Sequence, residues 1–234
     1  MIALCAVLLA LGASPGDVSG PAVLDSLVRV LEQPDDYTVR LAIEVDVERI
    51  SVAPMEATLY YKRPDRVHIE ADGVAMIPRE VLPTSIAELP KTFTVQDSRR
   101  DSIGGREMIR LSLEPRAATT RTRRVSLLVD PRTWLPQELS SVRVDGRSIT
   151  ASFSFERVER FWLPSQVLIH LEAAAEDSSE SSNWEQHSRG GTRASMPRRG
   201  TVRILYQDYK VNTGLPDELF GPQREGTGGR PRGE

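Results

Sequence analysis

The sequence predicts a mainly β protein, a single strongly curved antiparallel sheet or half-open barrel of about 10–11 strands with one N-terminal helix. Three observations predict it. Apolar and polar residues alternate at period two in about ten separate runs. Only one stretch carries an apolar stripe at helical spacing. Turn dipeptides such as Pro64-Asp65, Gly104-Gly105, Asp130-Pro131 and Asp145-Gly146 punctuate the runs. The chain has 234 residues, within reach of one all-β domain.

The chain opens on an unbroken apolar run, residues 1–13, too short for the roughly 20 residues that span a bilayer. It fits the apolar core of a secretory signal, although no Lys or Arg precedes it, and small residues follow at Gly12, Ala13, Ser14, Ser19 and Gly20. Residues 1–19 are therefore expected to be a signal peptide and the protein to be exported. The single cysteine, Cys5, lies inside this run, so the mature chain offers neither a disulfide framework nor a thiolate. Its fold rests on core burial, for which the length suffices.

From Pro21 to Gln33 the apolar residues Leu24, Leu27, Val28 and Leu31 fall at i, i+3, i+4 and i+7, one stripe of a helix. Ser19 and Gly20 can cap it, Pro21 suits its first turn, and Pro34 lies past its end. Strands follow. Tyr37, Val39, Leu41, Ile43, Val45 and Val47 alternate with polar residues and Ala42. Met55, Ala57, Leu59 and Tyr61 repeat the pattern, as do Val67, Ile69 and Ala71. Pro78, Pro83 and Pro90 exclude a central strand over residues 74–91. Ile77, Val81, Leu82, Ile86 and Leu89 make that segment an apolar cover, with a short helix expected at 84–89. Alternation resumes at Phe93 and Val95, then at Ile109, Leu111 and Leu113, then at Val125, Leu127 and Val129. Leu139, Val142 and Val144 lead into Asp145-Gly146, the strongest hairpin signal in the chain, and Ile149, Ala151, Phe153 and Phe155 lead out. Val167, Ile169 and Leu171, and finally Val202, Ile204 and Tyr206, complete the set.

Ala174 to Arg199 is rich in Ser, Glu, Arg and Gly and cannot bury enough surface to offset its ordering entropy, so a disordered insertion is expected there. Residues 222–234 read as a disordered tail. The folded domain is thus 20–221. Its strands are expected to form an antiparallel meander, each with one apolar and one wet face. A helix of about 13 residues is roughly 20 Å long and cannot cover so wide an apolar face. The sheet must curl, with the helix and the proline-rich segment closing its mouth.

Several functions find no support. The net charge of −3 advertises neither nucleic acid nor an anionic surface. His68, His170 and His187 stand at no metal-ligand spacing, so no metal and no cofactor is expected. No Gly-x-Ser-x-Gly elbow or phosphate loop occurs, and carboxylates such as Glu44, Asp46 and Glu48 alternate on wet strand faces as solubilising charge. The protein is expected not to be an enzyme.

Three stretches carry a family resemblance: Leu59-Tyr60-Tyr61-Lys62-Arg63-Pro64-Asp65-Arg66; Leu127-Leu128-Val129-Asp130 followed by Leu135-Pro136; and Tyr206 to Phe220, with Tyr209-Lys210-Val211-Asn212 ahead of Leu215-Pro216-Asp217. In order and spacing they resemble the periplasmic outer-membrane lipoprotein carriers, the LolA-like or lipoprotein-sorting family, over about residues 21–222. The resemblance implies a half-open barrel with a helical lid and a cavity for acyl chains. It places the family's functional arginine on Arg63, which would bond lid carbonyls and set open against closed. It also implies a periplasmic carrier, working between an inner-membrane donor and an outer-membrane acceptor.

The expected ligand is a lipid or acylated lipoprotein, bound by a monomer. The expected cavity lining is Val39, Leu41, Ile43, Leu59, Tyr61, Val67 and Ile69, and the expected lid Leu24, Leu27, Val28, Leu31, Ile86 and Leu89. The alternative is an envelope-stress sensor or protein-binding module on the same fold.

Overall fold

The computed structural model describes residues 18–48, 50–51, 53–71, 86–117, 122–172 and 199–221. The expected signal peptide up to residue 17, most of the cover at 74–85, the insertion over 174–198 and the tail from 222 lie outside them. Arg199, expected to end the insertion, instead opens a strand.

Helix α1 (Gly20–Val30) leads into strands β1 (Asp36–Val47), β2 (Ile50–Ser51), β3 (Met55–Lys62) and β4 (Arg66–Ala71). A four-residue helix α2 (Leu89–Thr92) precedes β5 (Phe93–Ile103), β6 (Arg106–Pro115), β7 (Thr122–Val129), β8 (Pro136–Arg143), β9 (Ser148–Val158), β10 (Phe161–Glu172) and β11 (Arg199–Val211). A 3-10 turn (Asp217–Phe220) follows. Of the helix expected at 84–89, residues 84–85 lie outside the described residues, Ile86 is helical and Leu89 opens α2, with Ile86 and Leu89 both buried. Ser19 precedes α1, but its side chain makes no capping bond.

All strands join one antiparallel sheet, in the order β4-β3-β1-β11-β10-β9-β8-β7-β6-β5, with β2 paired to β1. The expected meander holds only in two runs, and the pairing of β1 with β11 joins them. The sequence neighbours β4 and β5 are the two free edges of an unclosed sheet. The sequence between them carries Pro78, Pro83 and Pro90, which disfavour a further central strand there.

The second departure concerns alternation. In β11 the pairing skips between Lys210 and Gln207, opposite Thr38 and Arg40. Asp208 is the extra residue, in the left-handed region at φ 56°, and Tyr206 and Tyr209 therefore share a face. Gln96 is the extra residue in β5, between Val95 and Asp97. Ser165 is the extra residue in β10, between Pro164 and Gln166. Each bulge turns a spacing of three into a common face, which period-two counting does not anticipate.

The core is one cluster. Leu24, Leu27 and Leu31 of α1 pack in it with Leu41 and Ile43 of β1, Leu111 of β6, Leu127 of β7, Ile169 of β10 and Ile204 of β11. Residues from strands so far apart in a single cluster with one helix require the sheet to wrap around α1. Each fully buried Leu or Ile contributes about 1.5–3 kcal/mol relative to exposure.

Candidate functional site

The concave face of the sheet, with α1 across it, is the candidate site. Val39, Leu41, Ile43, Leu59 and Tyr61 are buried there on β1 and β3. Val67 and Ile69, on the edge strand β4, are half-buried and pack against the same cluster. The helical residues Leu24, Leu27 and Leu31 are buried, as are Ile86 and Leu89, while Val28 is half-buried. The structure therefore gathers every expected lining and lid residue around one apolar core.

Helix α1 is held at both ends. At its start, Gly20 lies so close to β5 that an added Cβ would stand 2.4 Å from Val95 Cγ1 and 3.2 Å from Ser98 Cβ. Ser98 Oγ donates to the carbonyl of Val18. The bulge at Gln96 presents both β5 residues to the helix.

At the other end stands Arg63, in the β3–β4 turn. Its side chain donates to the Gln33 carbonyl, just past α1, and lies 3.6 Å from the Asp35 carboxylate and 3.9 Å from that of Glu32. Its backbone N–H donates to Asp35 O at 2.9 Å. The guanidinium is 44% exposed, so solvent screens its ion pairs and little stability rides on them.

Beside this latch, residues 213–215 fold over β1. The Asp36 carboxylate, only 4% exposed, accepts from Thr213 N at 2.8 Å, Thr213 Oγ1 at 3.1 Å, Gly214 N at 2.9 Å and Leu215 N at 3.2 Å. Successive backbone N–H groups of this kind form a concavity suited to a carboxylate. Gly214, at φ 76°, supplies the left-handed step the turn needs. Lys62 then donates to Leu215 O at 2.6 Å and to the Asp217 carboxylate, which Arg66 also approaches at 3.1 Å.

Sequence reasoning took Tyr61 as lining but missed the set it belongs to. Tyr61 stacks on Tyr37, with centroids 4.9 Å apart. Tyr209 meets Tyr37 edge-on at 5.7 Å, and Tyr206 lies nearly parallel to Tyr209 at 6.5 Å. The strand β11 carries two of the four, and the signal that hid Tyr209 is the bulge at Asp208. Burial pushes the Tyr37, Tyr206 and Tyr209 pKa values up, so these hydroxyls stay neutral. Tyr61 donates to Pro64 O at 3.0 Å and Tyr209 to Pro164 O at 2.7 Å. Tyr206 Oη is buried without a partner among the described residues, as is Gln33 Oε1 beyond the end of α1.

Among the described residues the only buried charged side chains are Asp36 and Asp130. Asp36 is bonded as above. Asp130 accepts from Arg106 and from Arg132 N, both at 2.9 Å. The concave face is otherwise apolar, and chemically it can shelter hydrocarbon.

No family model and no curated protein matches the sequence. Solved structures do match. A LolA superfamily protein from Nitrosomonas europaea is 15% identical with a TM-score of 0.58, over 86% of this chain and 97% of that one. A DUF1329 family protein from Desulfovibrio piger is 14% identical, with a TM-score of 0.57 over 86% and 96%. A domain described as an outer membrane lipoprotein-sorting protein, from Vibrio parahaemolyticus, is 9% identical, with a TM-score of 0.57 over 85% and 94%. An unclosed, curved antiparallel sheet wrapped around an N-terminal helix, matched along nearly its whole length by these structures, gives the chain a LolA-like fold.

Proposed function

We propose that this protein is a non-enzymatic periplasmic carrier, which binds a lipid or lipoprotein acyl chain on the concave face and moves it toward the outer membrane. The observation that carries this reading is the way α1 covers the face. One short amphipathic helix lies across an extensive apolar surface of an unclosed sheet, with a solvent-exposed arginine on the backbone carbonyl beyond its end. An element held this way can leave and return. Affinity comes from apolar burial, about 0.8 kcal/mol for each methylene taken from water. Val39, Leu41, Ile43, Leu59, Tyr61, Val67 and Ile69 line the bound chain. The lid is α1 with Ile86 and Leu89, and Arg63 is its latch. The chain is exported by residues 1–19, acts as a monomer, and exchanges cargo with an inner-membrane donor and an outer-membrane acceptor.

The test is mass spectrometry of an organic extract of the mature protein, purified from its own periplasm without detergent. A stoichiometric lipid or acylated peptide is the expected result. A blank extract, together with failure to bind an apolar fluorescent dye, would overturn the reading.

A further inference from the structure

The tyrosine set has one feature the carrier reading leaves unused. Three of its hydroxyl groups sit in an apolar interior on β3 and β11, and two of those donate to backbone carbonyls. The third, Tyr206 Oη, is on a side chain 95% buried, counting from its 5% exposure, and has no partner among the described residues. A buried hydroxyl without a partner is costly and uncommon in a native fold, and one aimed into a ligand-binding face marks where a ligand's polar atom goes. Tyr206 stands opposite Leu41, in the middle of the expected lining.

The chemistry of the missing partner follows from what surrounds it. The hydroxyl is neutral and can donate. No ionised side chain is buried on this face among the described residues, beyond Asp36 and Asp130, whose oxygens are engaged. A carboxylate buried beside Tyr206 would meet no cation, and an unpaired buried charge is strongly disfavoured. A bare hydrocarbon would leave the hydroxyl unsatisfied. A neutral acceptor satisfies both conditions.

We propose that Tyr206 is the polar anchor of the face, donating to the carbonyl oxygen of an esterified or amidated acyl chain. This rests on the carrier reading and narrows its ligand to acyl carbonyl compounds, against free fatty acids and plain hydrocarbons. It also sets the direction of the ligand. Beyond Tyr206, β11 and β1 present the apolar pairs Ile204↔Ile43 and Val202↔Val45, about 13 Å of strand. The hydrocarbon runs along these, and the headgroup leaves past Tyr209 and Tyr37 toward the Arg63 latch.

The experiment uses the mature protein and its Tyr206→Phe variant, each loaded with an apolar fluorescent dye. Methyl palmitate, the ether of matched length that lacks the carbonyl, and palmitate are added as competitors. The wild type is expected to bind the ester about tenfold more tightly than the ether, the worth of one well-placed hydrogen bond. Palmitate should bind more weakly than the ester. Tyr206→Phe should bind the ether as before and lose the preference, with an unchanged or higher melting temperature. Equal binding of ester and ether by the wild type, or a preference that survives in Tyr206→Phe, would overturn the anchor while leaving the carrier reading intact. Failure of every competitor to displace the dye would overturn both.

Discussion

At the scale of single residues, the C-terminal turn is pinned by charge. Hydrogen bonds from Lys62 and then Arg66 hold the Asp217 carboxyl below its ordinary pKa of 3.8, and the Arg66 guanidinium lies 5.6 Å from the centre of the Phe220 ring. A carboxyl whose folded pKa is depressed contributes stability that is fully present above the unfolded value and is lost as pH falls through the folded one. The turn is therefore expected to be unchanged from neutral pH down to about 5 and to loosen below about 4. The Phe220 ring resonances, followed by NMR across this range, check it, and Asp217→Asn should remove the low-pH step. This clamp was legible in part. The Tyr206-to-Phe220 stretch stood out in the sequence, but the role of Asp36 within it did not, because a carboxylate at a strand start looks like ordinary surface charge until the chain folds back on it.

At the scale of elements, α1 was read almost entirely from its stripe, because four apolar residues at helical spacing need only one partner surface. Its docking was not legible, since Gly20 has meaning only against Val95 and Ser98. Gly20→Val is expected to force the helix start off β5 and to destabilise the protein by about 1–3 kcal/mol, measured by guanidinium denaturation. The strands show the same division. Several of them were read short, and in β5, β10 and β11 a bulge marks the limit. Counting stopped at Val95 beside Gln96, began at Val167 after Ser165, and stopped at Tyr206 before Asp208. Alternation reports side chains only while the register is unbroken, and a bulge resets it. The apolar lining on β1 and β3 was legible because β1 and β3 pair without interruption. Tyr209 and the unpartnered Tyr206 hydroxyl depend on a bulge and on three-dimensional neighbours.

At the scale of the whole molecule, the single core cluster makes the sheet and its helix one cooperative unit. Ile204 is fully buried in β11 between the two runs of strands. Ile204→Ala is expected to cost about 2–5 kcal/mol. Unfolding should still occur in one step, with coincident transitions in far-ultraviolet circular dichroism and in tryptophan fluorescence. The position of β11 also sets a timetable. Three strands of the sheet's path, β1, β3 and β4, lie on one side of it and six on the other, yet it is encoded after all of them. A nascent chain can pair strands within each group, but no strand pairing joins the groups until β11 has been made and Val211 has met Tyr37. Contacts so distant in sequence form slowly. The strand that joins the two groups is the last strand of the sheet to be made, so the sheet is completed only after every other strand has been synthesised.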